Sequence, residues 1–196
     1  MKILITGVAG FIGYSLAADL LKKNYHVVGI DNLNAYYNKN LKLDRLKLLK
    51  SFKNFFFKKI DITKKKELKK ISKIKFSYIF HFAAQPGVRY SLLNPDLYYK
   101  TNIIGFQKLF ENIDYKFIKK IFYASSSSVY GDQKRFPINE EAILNAKNPY
   151  GVSKKVNENC ADILSYKYNI PFIGLRFFTV YGEWGRPDMF IIKLSK

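Results

Sequence analysis

Short apolar runs alternate along this chain with longer stretches whose apolar residues recur every three to four positions. The runs predict strands at 3–6, 26–30, 54–60, 78–82, 120–125 and 172–177. The periodic stretches predict helices at 11–23, 41–50, 96–112 and 148–168. A short helix through Ile71, capped by Thr63, is expected after the third strand. Near-continuous apolar strands separated by helical crossovers are the pattern of a parallel sheet buried on both faces. The expected fold class is therefore α/β, a doubly wound parallel sheet of the Rossmann type, with right-handed crossovers and ligands at the carboxyl ends of its strands. Gly7, Asp31, Asp61, Ala83, Ser126 and Thr179 all stand at such ends.

Composition narrows the class. With 196 residues and 48 % hydrophobic content, the chain can bury a sizeable core. No apolar stretch is long and uncharged enough for a membrane span, and the apolar start is broken by glycines and Asp19, unlike a leader. Cys160 is alone, so no internal disulfide forms and a reducing cytoplasm is expected. The net charge of +19 invites a nucleic-acid reading. Nearly all of the positive charge is lysine, scattered along the chain and accompanied by abundant Asn, Ile, Phe and Tyr. That is a composition bias, and no nucleic-acid partner and no metal are expected. The charge still favours anionic ligands.

Two groups of residues carry chemistry. Gly7-Val8-Ala9-Gly10-Phe11-Ile12-Gly13 joins the first strand to the first helix. Glycines there let backbone N–H groups approach a pyrophosphate at the helix amino end. Asp31 follows Gly13 by eighteen residues, where a carboxylate accepts ribose hydroxyls and repels a 2′-phosphate. NAD is thus the expected cofactor, with Asn32 adding a contact. Asp61-Ile62 would lie near the adenine, the alternative being that Asp61 caps a helix. Tyr150 and Lys154 share a helix face, and the ammonium is expected to lower the phenol pKa so that Tyr150 acts as a base. A hydroxyl of the serine run 125–128 can hydrogen-bond the reacting sugar oxygen and pass its proton to Tyr150. Asn102 could steady the nicotinamide side or be a plain polar helix residue.

Together these motifs resemble the extended short-chain dehydrogenase/reductase family of nucleotide-sugar epimerases and dehydratases. The resemblance rests on Gly7–Gly13, Asp31-Asn32-Leu33, Asp61-Ile62, His81-Phe82-Ala83-Ala84, the segment 126–131 and Tyr150–Lys154, and it spans essentially the whole chain. Ala84-Gln85-Pro86-Gly87-Val88-Arg89-Tyr90-Ser91 and the stretch from Arg176 through Arg186-Pro187-Asp188-Met189 look like the UDP-glucuronate 4-epimerase branch. The resemblance implies catalytic roles for Ser126, Tyr150 and Lys154. It implies NAD contacts at Gly7, Gly10, Phe11, Ile12, Gly13, Asp31, Asn32, Asp61, Ile62, Ala83, Asn102, Tyr150 and Lys154. It also implies contacts to a UDP-uronate at Arg89, Ser127, Ser128, Thr179 and Arg186. The implied reaction inverts sugar carbon 4 through a 4-keto intermediate. Alternatives are another member reaction (UDP-galactose 4-epimerase, dTDP-glucose 4,6-dehydratase) or a non-catalytic NAD-binding fragment. Family members continue into a substrate domain, so the expectation is a C-terminally truncated chain. Residues 1–178 would form the cofactor domain and 179–196 the start of a substrate region. A homodimer through the helices 96–112 and 148–168 is also expected.

Overall fold

The computed structural model describes residues 1–187, so Asp188, Met189 and the remainder of the 179–196 region lie outside the described residues. Six strands form one sheet: β1 (Lys2–Thr6), β2 (His26–Asp31), β3 (Phe55–Lys59), β4 (Tyr78–His81), β5 (Lys120–Ser126) and β6 (Phe172–Phe177). Their order is β3-β2-β1-β4-β5-β6 and every pairing is parallel. The order reverses between β1 and β4, which opens a crevice at the carboxyl ends of those strands. The expected doubly wound fold is present.

The pleat of β1 shows how the sheet is held. Leu4 points into one core with Ile30, Ile79, Phe106 and Ile121, while Ile3 and Ile5 point into the other with Val8, Ala17, Leu21 and Leu49. Both faces are therefore apolar, and the strand reads as a run instead of alternating. On the second face lie α1 (Phe11–Lys22) and α2 (Lys39–Lys50). The first face is covered by α3 (Lys65–Leu68), α6 (Gly105–Glu111) and α7 (Pro149–Tyr168). No described helix is long and apolar enough to cross a membrane.

Two elements differ from the sequence reading. The helix expected at 96–112 is α5 (Pro95–Tyr98), a π-helical turn at Tyr99–Ile104 and then α6, preceded by α4 (Val88–Leu93). Asn102 sits in the π turn, fully buried, where its side chain can reach a neighbouring loop. Thr63 is not the cap of α3. Its backbone N–H and its hydroxyl both donate to Asp61 Oδ1, at 2.9 and 2.7 Å, and Lys64 stands at the cap position.

Candidate active site

The glycine loop is built by close contact. Gly7 has φ +70°, and a Cβ there would lie 2.7 Å from the backbone nitrogen of Ala83 on the neighbouring strand end. A Cβ on Gly13 would lie 2.3 Å from the carbonyl oxygen of Gly7. Any side chain at either position would push α1 away from β1. Gly10 precedes α1 without a side-chain cap, so the first N–H groups of the helix face the crevice. Thr6 locks the floor. Its hydroxyl oxygen accepts from the Ala83 N–H at 3.0 Å and shares a hydrogen bond of 2.8 Å with His81 Nδ1. His81 is buried against the edges of Phe106 and Phe110. Burial, helped by the Lys154 charge, pushes its pKa down to about 3.

The crevice widens into a cleft of ≈ 370 Å³, within the range of small-molecule and cofactor sites. It gathers most of the residues expected from sequence. Gly7, Gly10, Phe11, Ile12 and Gly13 line it at the glycine loop; Asp31, Asn32, Ile62 and Ala83 line it at the strand ends. Ser126, Ser127, Ser128, Tyr150, Lys154, Thr179 and Arg186 line the opposite end. Three expected residues do not line it. Arg89 is exposed on α4. Asp61 lies outside that lining and closes a local turn with Thr63. It accepts from Thr63 and from Asn32 Nδ2, which hold its carboxyl below the usual range against the opposing effect of burial. Asn102 clasps a loop: Oδ1 accepts from the Gln85 N–H at 2.7 Å, and Nδ2 donates to Gln85 O at 3.1 Å and to Ser153 Oγ at 2.9 Å.

Ser153 extends that clasp, because its hydroxyl donates to the Tyr150 carbonyl at 2.7 Å. The first turn of α7 is fixed from the other side by Asn148, whose Oδ1 accepts from the Gly151 N–H at 2.8 Å, with Pro149 at the first helical position. Tyr150 and Lys154 thus meet the cleft from one rigid face. Their electrostatics differ from expectation. Lys154 is buried and donates to the Ala124 carbonyl at 2.9 Å, and its Nζ stands 5.8 Å from the Tyr150 ring centroid. Burial pushes the Tyr150 phenol up, and the groups pulling it back are Ser126 and Arg186. The phenol is thus raised where a lowering was expected, burial outweighing the groups that oppose it. Lys154 itself is pushed down to about 8 by burial. Ser126 Oγ accepts from the Ser128 N–H at 3.1 Å, which leaves its proton available for donation. The guanidinium of Arg186 lies 5.6 Å from the Tyr36 ring centroid.

Sequence reasoning missed three supports. Arg45, fully buried on α2, donates to the Ala9 carbonyl at 2.9 Å, to Tyr37 Oη at 2.7 Å and to the Trp184 carbonyl. It ties the glycine loop to the segment bearing Arg186. Glu158, one turn beyond Lys154, accepts two bonds from Arg176 at 2.9 Å each and one from Ser125 Oγ at 2.5 Å. This joins α7, β6 and the serine run. Thr6 and His81 are the third. Charge in a helical stripe was the available signal for Arg45 and Glu158, but it reads equally as a solvated face.

Geometry alone therefore brings together a glycine loop at a helix amino end, the carboxylate of Asp31 and a Ser–Tyr–Lys group. The family profile described as GDP-mannose 4,6 dehydratase matches residues 4–195. The chain belongs to that family. Among curated relatives, the UDP-glucuronate 4-epimerase of Thermodesulfobacterium geofontis is 42 % identical over 195 residues, covering 98 % of this chain and 60 % of that protein. Protein CapI of Staphylococcus aureus is 45 % identical, covering 100 % of this chain and 59 % of its own length. Among solved structures, the UDP-glucuronic acid 4-epimerase of Bacillus cereus, in complex with UDP-glucuronic acid and NAD, superposes with a TM-score of 0.90 at 37 % identity. It covers 99 % of this chain and 62 % of its own. The chain thus spans about three fifths of the length of these relatives. Within the family the match is to epimerases of the extended short-chain dehydrogenase/reductase type, as the motifs imply.

Proposed function

We propose that this chain carries the NAD-binding and catalytic half of a nucleotide-sugar epimerase that interconverts UDP-glucuronate and UDP-galacturonate through a 4-keto sugar. The observation that carries this reading is the single cleft lined by the glycine loop, Asp31, Ser126, Tyr150, Lys154 and Arg186. The relatives named above support it. Residues 1–178 would form the cofactor domain, and 179–196 the beginning of the substrate region.

The cleft suits the cofactor on its own terms. Gly7 and Gly13 leave a cradle that a Cβ would fill, and the uncapped amino end of α1 favours a pyrophosphate there. Asp31 meets the adenosine ribose, with Ile62 and Ala83 against the rings. Bound there, NAD supplies a reversible acceptor for the hydride of the sugar carbon.

The chain's own groups handle the proton and the substrate. Ser126 donates to the sugar 4-oxygen, and Tyr150 takes the 4-hydroxyl proton and later returns it. Lys154 sets a positive charge beneath the nicotinamide ribose. Ser127, Ser128, Thr179 and Arg186 offer hydroxyls and a guanidinium to a uronate carboxylate, the pairing that charge-assisted hydrogen bonds favour.

The test is calorimetric NAD binding combined with conversion of UDP-glucuronate, followed for the native chain and Tyr150→Phe. NAD binding by both forms, with turnover at least about a thousandfold lower in Tyr150→Phe, is the expected result. Lack of NAD binding by the native chain, or turnover undiminished in the variant, overturns the reading.

A homodimer through α5, the π turn and α7 completes the proposal. Leu97, Ile104, Ile163 and Tyr166 on these elements are exposed, Tyr166 at 92 %. A second copy presenting the same face would cover them. Sedimentation equilibrium should show a dimer that Ile163→Asp shifts to monomer. A cytoplasmic location fits the single thiol, Cys160.

A further inference from the structure

After β6 the chain crosses the mouth of the cleft. Thr179 and Val180 line it near β6, and Arg186 lines it again at the end of the crossing. The path between them runs over α1. Gly182, at φ +146°, approaches Phe11, where a Cβ would lie 3.6 Å from the ring atom Cζ. The Gly185 N–H donates to the Gly182 carbonyl at 3.1 Å, which closes a turn containing Trp184. The Trp184 ring centroid lies 5.7 Å from that of Tyr14 on α1, and its carbonyl accepts from Arg45 on α2. Arg186 then stands over Tyr36. β6 is at one end of the sheet, whereas α1 and α2 flank β2 in the chain, near the other end. Residues 178–186 therefore pass above the carboxyl ends of β5, β4 and β1, where the crevice lies. Four strand spacings from β6 to β2 make about 19 Å, and the chain from Phe177 to Trp184 reaches about 24 Å when extended, so the crossing has little slack.

Two features hold it down. Trp184 has φ +63°, a conformation that a bulky residue keeps only where its surroundings impose it. Arg45, fully buried, joins three segments remote from one another in the chain: it donates to the Ala9 carbonyl at 2.9 Å, to Tyr37 Oη at 2.7 Å and to the Trp184 carbonyl. Its donors are met only with all three in place, so lifting Trp184 away strands part of a buried guanidinium. Ala9 belongs to the glycine loop. One side chain thus ties the floor of the crevice to the segment above it.

We propose that residues 178–186 form a strap closed over the bound dinucleotide and that Arg45 is the residue that positions it, so that the cofactor leaves only after Trp184 has parted from Tyr14 and Arg45. The inference rests on the NAD reading above and adds a control on cofactor release. A cofactor that takes a hydride and returns it within one cycle is served by such a closure.

The test needs no turnover. Trp184 is the chain's single tryptophan, so its emission reports the strap. Acrylamide quenching of that emission is compared between the native chain and Arg45→Met. Stopped flow then follows release of the ethenoadenine analogue of NAD, chased by NAD, from the native chain, Arg45→Met and Trp184→Ala. Arg45→Met should raise the quenching constant at least about twofold. It should speed release about tenfold, the usual size of a hydrogen bond to a charged group. Trp184→Ala, which removes only the ring from Tyr14, should speed release about fivefold. Trp184 is 37 % exposed and outside both cores, so this second variant decides the matter should Arg45→Met fail to show a cooperative melt. Unchanged quenching in Arg45→Met, or unchanged release from Trp184→Ala, overturns the inference. So does a loss of affinity in Arg45→Met that lies wholly in association, which would make Arg45 a prop for the glycine loop. A native chain that binds no analogue overturns the functional reading and this one with it, whereas binding with unchanged release overturns this one alone.

Discussion

At Tyr150 and Lys154, two groups that neutral solution would leave a phenol and an ammonium are both pushed by burial toward their uncharged forms. His81, beneath Lys154, is pushed the same way and further. One cause acts on all three, a dry floor below the cleft, and for His81 it has a consequence for stability. Its folded pKa of about 3 lies below the ordinary 6.5, so the unfolded chain binds its proton first as pH falls. The contribution is therefore complete above pH 6.5 and is lost progressively from 6.5 toward 3. Between pH 7 and pH 5 the loss is about 2 kcal/mol. His81→Asn keeps a polar partner for the Thr6 hydroxyl and removes the titration. Urea unfolding at both pH values should show the native chain losing about 2 kcal/mol more than the variant. Equal losses would mean that His81 takes up its proton in the fold as readily as in the unfolded chain.

The elements that hold the site differ in how far they could be read from sequence. β1, α1 and β2 are local. Their apolar runs and glycine spacing are contiguous, and the structure places them within one or two residues of expectation. The π turn at Tyr99–Ile104 was hidden, because the widened turn answers to Asn102 reaching Gln85 and Ser153, residues 17 and 51 positions away. Arg45 and Glu158 were hidden for the same reason. Each stands on a helix where charge suggests solvent, and each is buried by partners remote in the chain. The distinction can be measured. Glu158 and Arg176 are 10 % and 21 % exposed at their side chains and paired by two bonds, whereas Asp19 and Lys23 are both 65 % exposed at 3.5 Å. Glu158→Ala strands a half-buried guanidinium and should cost about 3 kcal/mol in urea unfolding. Asp19→Ala should cost less than about 0.5 kcal/mol. Similar costs for the two would show that the α7–β6 clasp is only a surface pair.

Across the whole molecule, the two ends of the cleft are unequally enclosed. The cofactor end is walled by α1, α2 and three strand ends, with Asp31 7 % exposed and Lys42 6 %. The Tyr150 end runs out toward β6, which among the described residues is an edge strand paired only with β5, and toward Phe178 and Tyr181, which are 57 % and 69 % exposed. The relatives are longer than this chain by about two fifths of their own length. A dinucleotide placed along the cleft would draw most of its contacts from residues described here. A nucleotide sugar would meet only its sugar-facing residues, Ser126 to Ser128, Thr179 and Arg186, with no described wall for its uridine. Binding energy from remote parts of a substrate is what holds its reacting carbon in register, and losing that part costs turnover as well as affinity. Residues 1–196 should therefore bind NAD, yet bind UDP-glucuronate at least about a hundredfold more weakly than a chimera extended by the C-terminal part of the T. geofontis relative. Calorimetry on both chains, each loaded with NAD, makes the comparison. Matching UDP-glucuronate affinities would show that the described cleft grips the whole nucleotide sugar by itself, and that the uridine lies along the exposed flank of β6.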